Sequence, residues 1–80
     1  MARARTIRLI VSGCCGRMGS RLVALARQSK DMVLVGALES VDHACLGRDV
    51  GECIGIGRVG LRVDSALERV ARAGDVLIEF

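Results

Sequence analysis

The residues best placed to do chemistry lie in one short turn, Gly13-Cys14-Cys15-Gly16-Arg17-Met18-Gly19, of the form G-x-x-G-x-x-G. It follows a β-branched run, Thr6–Ser12, and opens a helix-period segment, the context that a dinucleotide-binding turn requires. Gly13 suits a tight turn off the strand, and Gly16 lets backbone N–H groups approach an anion with no Cβ in the way. Gly19 lets the helix pack closely. The unpaired N–H groups and partial positive charge of a helix start favour a pyrophosphate. Cys15 stands where the commoner G-x-G-x-x-G pattern has its middle glycine. The same glycine pattern also serves a purely structural strand-to-helix connection, so the motif alone leaves both readings open.

Glu39 adds a second element. It ends the second apolar run, Met32–Leu38, twenty residues after Gly19. A carboxylate there can accept from both hydroxyls of an adenosine ribose, and it repels a 2′-phosphate. Ser40 carries no charge, and the nearest basic residue is Arg17 in the turn itself. The expected cofactor is therefore NADH or NADPH, with NADH favoured. The other reading of Glu39 is a solvent-exposed acid at a strand end.

The elements that must position these residues follow from apolar patterning. Leu9-Ile10-Val11 and Met32–Leu38 run without alternation, as in strands covered on both faces. Between them Met18, Leu22, Leu25 and Ala26 fall on one face of a helix over about Arg17–Ser29, widened by Val23. Strand, turn, helix and strand make a right-handed βαβ unit. Residues 40–58 have little periodicity and four glycines; they are either a functional loop or carry a short helix around Ala44–Leu46. Val59–Val63 reads as a strand. Ser65 and Glu68 match a capping box for a helix ending near Ala73, before Gly74. Asp75–Phe80 reads as a fourth strand. The expected fold is α/β, a Rossmann-like parallel sheet of order β-α-β-loop-β-α-β, a truncated half of a doubly wound fold. It occupies 6–80 behind a basic tail, 1–5, and Arg3, Arg5 and Arg8 read as solvated.

Composition narrows the classes. The chain has 80 residues, net charge +3, 51% apolar residues, no proline, no Trp or Tyr and one Phe. Without an aromatic platform, single-strand nucleic-acid binding is not expected despite eleven arginines. No apolar run reaches the ~18–20 residues of a membrane span. Val11-Ser12-Gly13-Cys14 is similar to a lipoprotein cleavage box. Only five residues, Arg8 among them, stand where a signal needs ~7–15 apolar ones, so export is not expected. Cys14, Cys15, Cys45 and Cys53 contain no C-x-x-C pair, and His43 is the only histidine. They read as four reduced thiols in a cytoplasmic protein, with no metal site. A vicinal Cys14–Cys15 disulfide is not expected.

Four segments in order carry a more particular resemblance: Val11–Gly19 with its Gly-Arg-Met-Gly, Leu34–Glu39, Leu46–Glu52 with its Gly-x-Asp-x-Gly, and Asp75–Phe80. The chain resembles the N-terminal domain of the bacterial dihydrodipicolinate reductase family. The resemblance implies an NADH- or NADPH-dependent reductase of diaminopimelate and lysine synthesis. It places Gly13, Cys14, Cys15, Gly16, Arg17 and Met18 at the pyrophosphate, Glu39 at the adenine ribose and Phe80 near the nicotinamide end. Its implied partners are the dinucleotide and, in the full-length protein, a dicarboxylate heterocycle; such proteins are homo-oligomers. Cys14-Cys15 is bulkier than the small residues usual there. The family commonly has Asp in place of Glu79 and Thr directly after Phe80. No segment matches the family's His-rich catalytic loop, and His43 reads as an exposed loop residue. The expectation is a cofactor domain with no catalytic residue and no substrate domain. The alternatives are a stand-alone nucleotide-binding or thiol redox-sensing module, in which helix-start Cys14 or Cys15 would have a lowered pKa, or a marginally folded remnant.

Overall fold

A computed structural model describes residues 6–80. The basic tail 1–5, with Arg3 and Arg5, lies outside the described residues. The elements are β1 (Ile7–Ser12), α1 (Arg17–Gln28), β2 (Met32–Leu38), α2 (Val50–Ile54), α3 (Leu67–Val70) running into a 3₁₀ turn at Ala71–Ala73, and β3 (Val76–Glu79). The three strands are all parallel in the order β2-β1-β3. This is the Rossmann-like arrangement expected, with β1 in the centre.

The unbroken apolar run of β1 has the expected cause. Successive side chains point to opposite faces, and both faces are covered. Leu9 and Val11 join a core with Cys14, Val23, Ala26, Ala37, Val50 and Val63. Ile10 lies on the other face, where a Cβ on Gly36 would meet both Ile10 and Val70 at 3.1 Å. That close approach seats α3 on the sheet. The β1–β2 register slips by one residue between Leu9 and Ile10.

Helix α1 begins and ends as the pattern predicts, but its buried face is rotated. Gly19, Val23 and Ala26 are buried, while Met18 and Leu25 are 58% and 61% exposed. The buried i, i+4, i+7 set is the one carrying small residues, because the helix lies too close to the sheet for the longer side chains.

Three other expectations are corrected. Val59–Val63 is not a strand; single bridges join Leu46 to Val63, Asp49 to Arg62 and Leu38 to Asp64. The backbone N–H groups of Val59, Gly60 and Leu61 all donate to the Asp49 carboxylate, so they are not available for a ladder. Gly60, at φ +91°, also breaks the extended chain. The helix of the 40–58 segment sits at Val50–Ile54, not around Ala44–Leu46, with Asp49 as its N-cap accepting from Glu52 N–H at 3.1 Å. The Ser65/Glu68 capping box does not form. Asp64 instead accepts from the N–H groups of Ser65 and Ala66 and from Arg69, and α3 is only four residues long.

Arg8 is likewise not part of a solvated tail. It lies in β1, and its guanidinium pairs with Asp75 at 3.0 Å, while Asp75 N–H donates to the Arg8 carbonyl at 2.7 Å. The pair pins the start of β3 against β1.

Candidate functional site

In a parallel sheet the carboxyl ends of all strands share one edge, which is where open α/β folds bind ligands. Here that edge carries Gly13 after β1, Glu39 after β2 and Phe80 after β3. Residues far apart in sequence thus converge through topology alone.

The turn is built around two glycines. Gly13 has φ +79°, a left-handed conformation that disfavours a side chain, and its N–H donates to the Leu38 carbonyl at 2.9 Å. Gly19 faces it from the first turn of α1, where a Cβ would overlap the Gly13 carbonyl oxygen. The Gly16 N–H donates to Gly13 O at 3.1 Å and closes the loop. Gly16 caps α1 without a side-chain hydrogen bond, and the first turn of α1 contains no acid. A Cβ at Gly16 would meet only Gly13 O, at 3.4 Å. The helix start is therefore open for an anion to approach.

The bulk of the two cysteines does not fill that approach. Cys14 turns wholly into the core, and Cys15 is half-buried. Cys15 N–H donates to Glu39 Oε2 at 2.9 Å. The second Glu39 oxygen accepts from Ser40 N–H at 3.3 Å. A carboxylate has about four acceptor positions, so Glu39 keeps capacity for further donors while clasping the turn. Phe80 donates its N–H to Ser12 O at 3.2 Å, and its backbone oxygen lies 3.3 Å from where a Gly13 Cβ would be. The residue is 55% exposed. Arg17 and Met18 are exposed beside the turn, and Arg17 forms no ion pair among the described residues. All eight residues expected at the cofactor thus belong to, or border, one turn.

The thiols differ from expectation. Burial pushes the Cys14 thiol well above its ordinary pKa, with neighbouring Cys15 adding to the shift. Burial raises Cys15 as well, against a lowering by its hydrogen bond with Cys14. The lowered pKa that would make either a reactive sensor is therefore absent, because burial raises both thiols. Cys14 and Cys15 are free, but Cys45 and Cys53 form a disulfide, so the chain does not carry four reduced thiols. Their Cα atoms are 6.2 Å apart across the loop and α2, within the usual range.

His43 is half-buried, not exposed, and its Nδ1 accepts from Cys45 N–H at 3.0 Å. The ring lies beside Cys45 and near Cys15, a grouping that no local spacing announced. One signal was available: Glu39 at a strand end must return to the glycine turn, which carries the following residues toward Cys15.

A cleft of about 360 Å³ lies at the other end of the sheet, near Thr6, Ser29 and Met32. It contains none of the expected site residues. No helix among the described residues is long and apolar enough to cross a membrane.

Comparison with known proteins bears on this edge as a whole. A family model described as dihydrodipicolinate reductase, N-terminus, matches residues 7–80. Among curated relatives, the 4-hydroxy-tetrahydrodipicolinate reductase of Citrifermentans bemidjiense is 36% identical over 74 residues, covering 92% of this chain. Proteins of the same name from Saccharophagus degradans and Methanocaldococcus jannaschii are 40% and 41% identical over 75 and 78 residues, covering 94% and 92% of this chain. In all three, the chain spans 28% of the relative's length.

Proposed function

The chain belongs to the dihydrodipicolinate reductase N-terminal family, and on that premise we propose that it is the nicotinamide-dinucleotide-binding portion of a 4-hydroxy-tetrahydrodipicolinate reductase. The observation that carries the proposal is the clasp between Glu39 and the Cys15 N–H, which sets an acid against the glycine turn. In this reading the Gly16 face of the turn and the start of α1 take the pyrophosphate. Gly13, Cys14, Cys15, Gly16, Arg17 and Met18 form that cradle. Glu39 accepts from the adenine ribose, and Phe80 borders the nicotinamide end. When bound, the dinucleotide supplies the hydride. This chain's residues bind and orient it, and none is assigned a catalytic role. The heterocyclic dicarboxylate substrate, the groups that act on it and any subunit partners belong to the rest of such a protein. Its setting is the cytoplasm.

NADH is the favoured cofactor, because the Glu39 carboxylate repels a 2′-phosphate; Arg17 is the residue that could offset this. Glu39→Ala is expected to weaken NADH by about 1.5–3 kcal/mol, the value of a hydrogen bond to a charged group. NADPH should lose much less. Titration followed by nicotinamide fluorescence decides it, and equal losses for the two cofactors would remove Glu39 from the ribose.

Gly16→Val tests the cradle separately. Gly16 has φ −78° in extended backbone, which valine adopts, and little surrounds its Cβ position. The variant should keep the wild-type circular dichroism spectrum and melting temperature yet lose measurable dinucleotide binding. Wild-type affinity in that folded variant would place the pyrophosphate elsewhere.

A further inference from the structure

Three residues not paired by any sequence motif meet beside the glycine turn. The ligating atoms of Cys15, His43 and Cys45 all lie within 4.8 Å of one another. All three residues are half-buried, and the sulfur of Cys53 is bonded to that of Cys45. Two loops thus bring two sulfurs and one imidazole together, and the disulfide tethers Cys53 of α2 to that cluster through Cys45.

We propose that, once the Cys45–Cys53 bond is reduced, Cys15, His43, Cys45 and Cys53 hold one zinc-class divalent ion in a Cys₃His site. Tetrahedral coordination at zinc–sulfur and zinc–nitrogen bond lengths places ligand atoms roughly 3.5–3.8 Å apart. Shifts of about 1 Å in these half-buried side chains bring Cys15, His43 and Cys45 to that spacing, and reduction frees the Cys53 side chain on α2 to turn in as the fourth ligand. Soft thiolates with one imidazole select zinc over magnesium or calcium. The hydrogen bond from Cys45 N–H to His43 Nδ1 already holds the ring beside the sulfurs.

The two states exchange by balanced steps. A dithiol reductant passes two electrons and two protons to the Cys45 and Cys53 sulfurs and becomes a disulfide itself. Metal binding then releases the thiol protons of Cys15, Cys45 and Cys53 to water. In the oxidised chain two of the four ligands are tied to each other, and no closed site can form. The loop over 43–53 is therefore fastened in either state, by a covalent bond or by a metal that also takes hold of Cys15 in the glycine turn.

The test is titration of the purified chain with cobalt(II) under anaerobic conditions, before and after reduction by a phosphine. The reduced chain should develop thiolate-to-cobalt charge transfer in the near ultraviolet and the intense visible bands of tetrahedral cobalt. These should saturate at one ion per chain and vanish on adding zinc; the oxidised chain should show neither. Cys15→Ser and His43→Ala should each weaken cobalt binding by at least about tenfold, since even outer-shell changes cost roughly 10–100-fold. Circular dichroism checks the fold of both variants, and His43, outside the helices and strands and away from the buried core, leaves a readable variant if Cys15→Ser fails to fold. An octahedral spectrum in the reduced chain would overturn the proposal. So would bands unchanged in both variants, or equal bands in the oxidised chain. The readout needs no dinucleotide, so it stands or falls apart from the nucleotide reading.

Discussion

Gly19→Ala should unfold this protein more readily than a single methyl group on a helix ordinarily does. Alanine at an ordinary helix position gains up to about 1 kcal/mol over glycine. Here the added Cβ would overlap the Gly13 carbonyl oxygen and lie 2.7 Å from its carbon. Overpacking costs about 1–3 kcal/mol when side chains can move aside, and occasionally more. The obstruction at Gly19 is backbone, tied in place by the Gly13 N–H bond to Leu38 and the Gly16 N–H bond to Gly13. The cost therefore falls at or above the top of that range, and a net loss of about 2 kcal/mol or more remains after the helix gain. For a domain of this size that corresponds to a melting temperature lower by on the order of 10 °C. A circular dichroism melt reads it directly, and a melting temperature equal to wild type would show that α1 does not rest on the turn. Set beside Gly16→Val, the result separates two uses of glycine in one motif: Gly19 is required by packing, Gly16 by the proposed ligand.

That separation also marks how far the sequence was legible. β1, α1, β2 and β3 were readable because their signals are local. Leu9-Ile10-Val11 has apolar neighbours on both faces, and the glycine turn sits where a strand must become a helix. The meeting of Gly13, Glu39 and Phe80 was readable too, since parallel strands leave no other edge for all three. What could not be read depends on contacts between distant segments. Val59–Val63 has strand composition, yet Asp49 takes its amide hydrogens. Met18 and Leu25 have core composition, yet the closeness that Gly19 imposes turns them outward. Cys45 and Cys53 lie eight residues apart with nothing between them to announce a bond, and His43 reaches Cys15 only because β2 ends beside the turn. The Gly-x-Asp-x-Gly segment was recognised by resemblance alone; its physical content is the Asp49 carboxylate.

Asp49→Asn should cause a larger loss of thermal stability than the same change at any other aspartate of the described chain. Both carboxylate oxygens are committed: Oδ2 accepts from Glu52 and Val59 N–H, Oδ1 from Gly60 and Leu61 N–H, at 2.6–3.2 Å. The residue is 8% exposed. An amide nitrogen in place of one oxygen sets donor against donor at two of these contacts, and water has little access to repair them. The same bonds set a pH dependence. Hydrogen bonds to the charged form, that from Val59 first, hold the Asp49 carboxyl down to about 2 against burial, which raises it. An unfolded aspartate titrates near 3.9. The unfolded chain therefore takes up the proton first as pH falls, and the stabilisation is fully present above about pH 5 and disappears between about pH 4 and pH 2. Asp64 is lowered too, chiefly by the Ala66 N–H, and contributes with the same sign. Chemical denaturation at pH 6, 4 and 3 should show wild type losing stability over that window and Asp49→Asn losing less, with Asp64→Asn isolating the second carboxylate's share. Parallel pH profiles for wild type and Asp49→Asn would mean that the carboxylate gains nothing from its four amides. The loop over residues 59–61 would then be held to α2 by its apolar contacts alone.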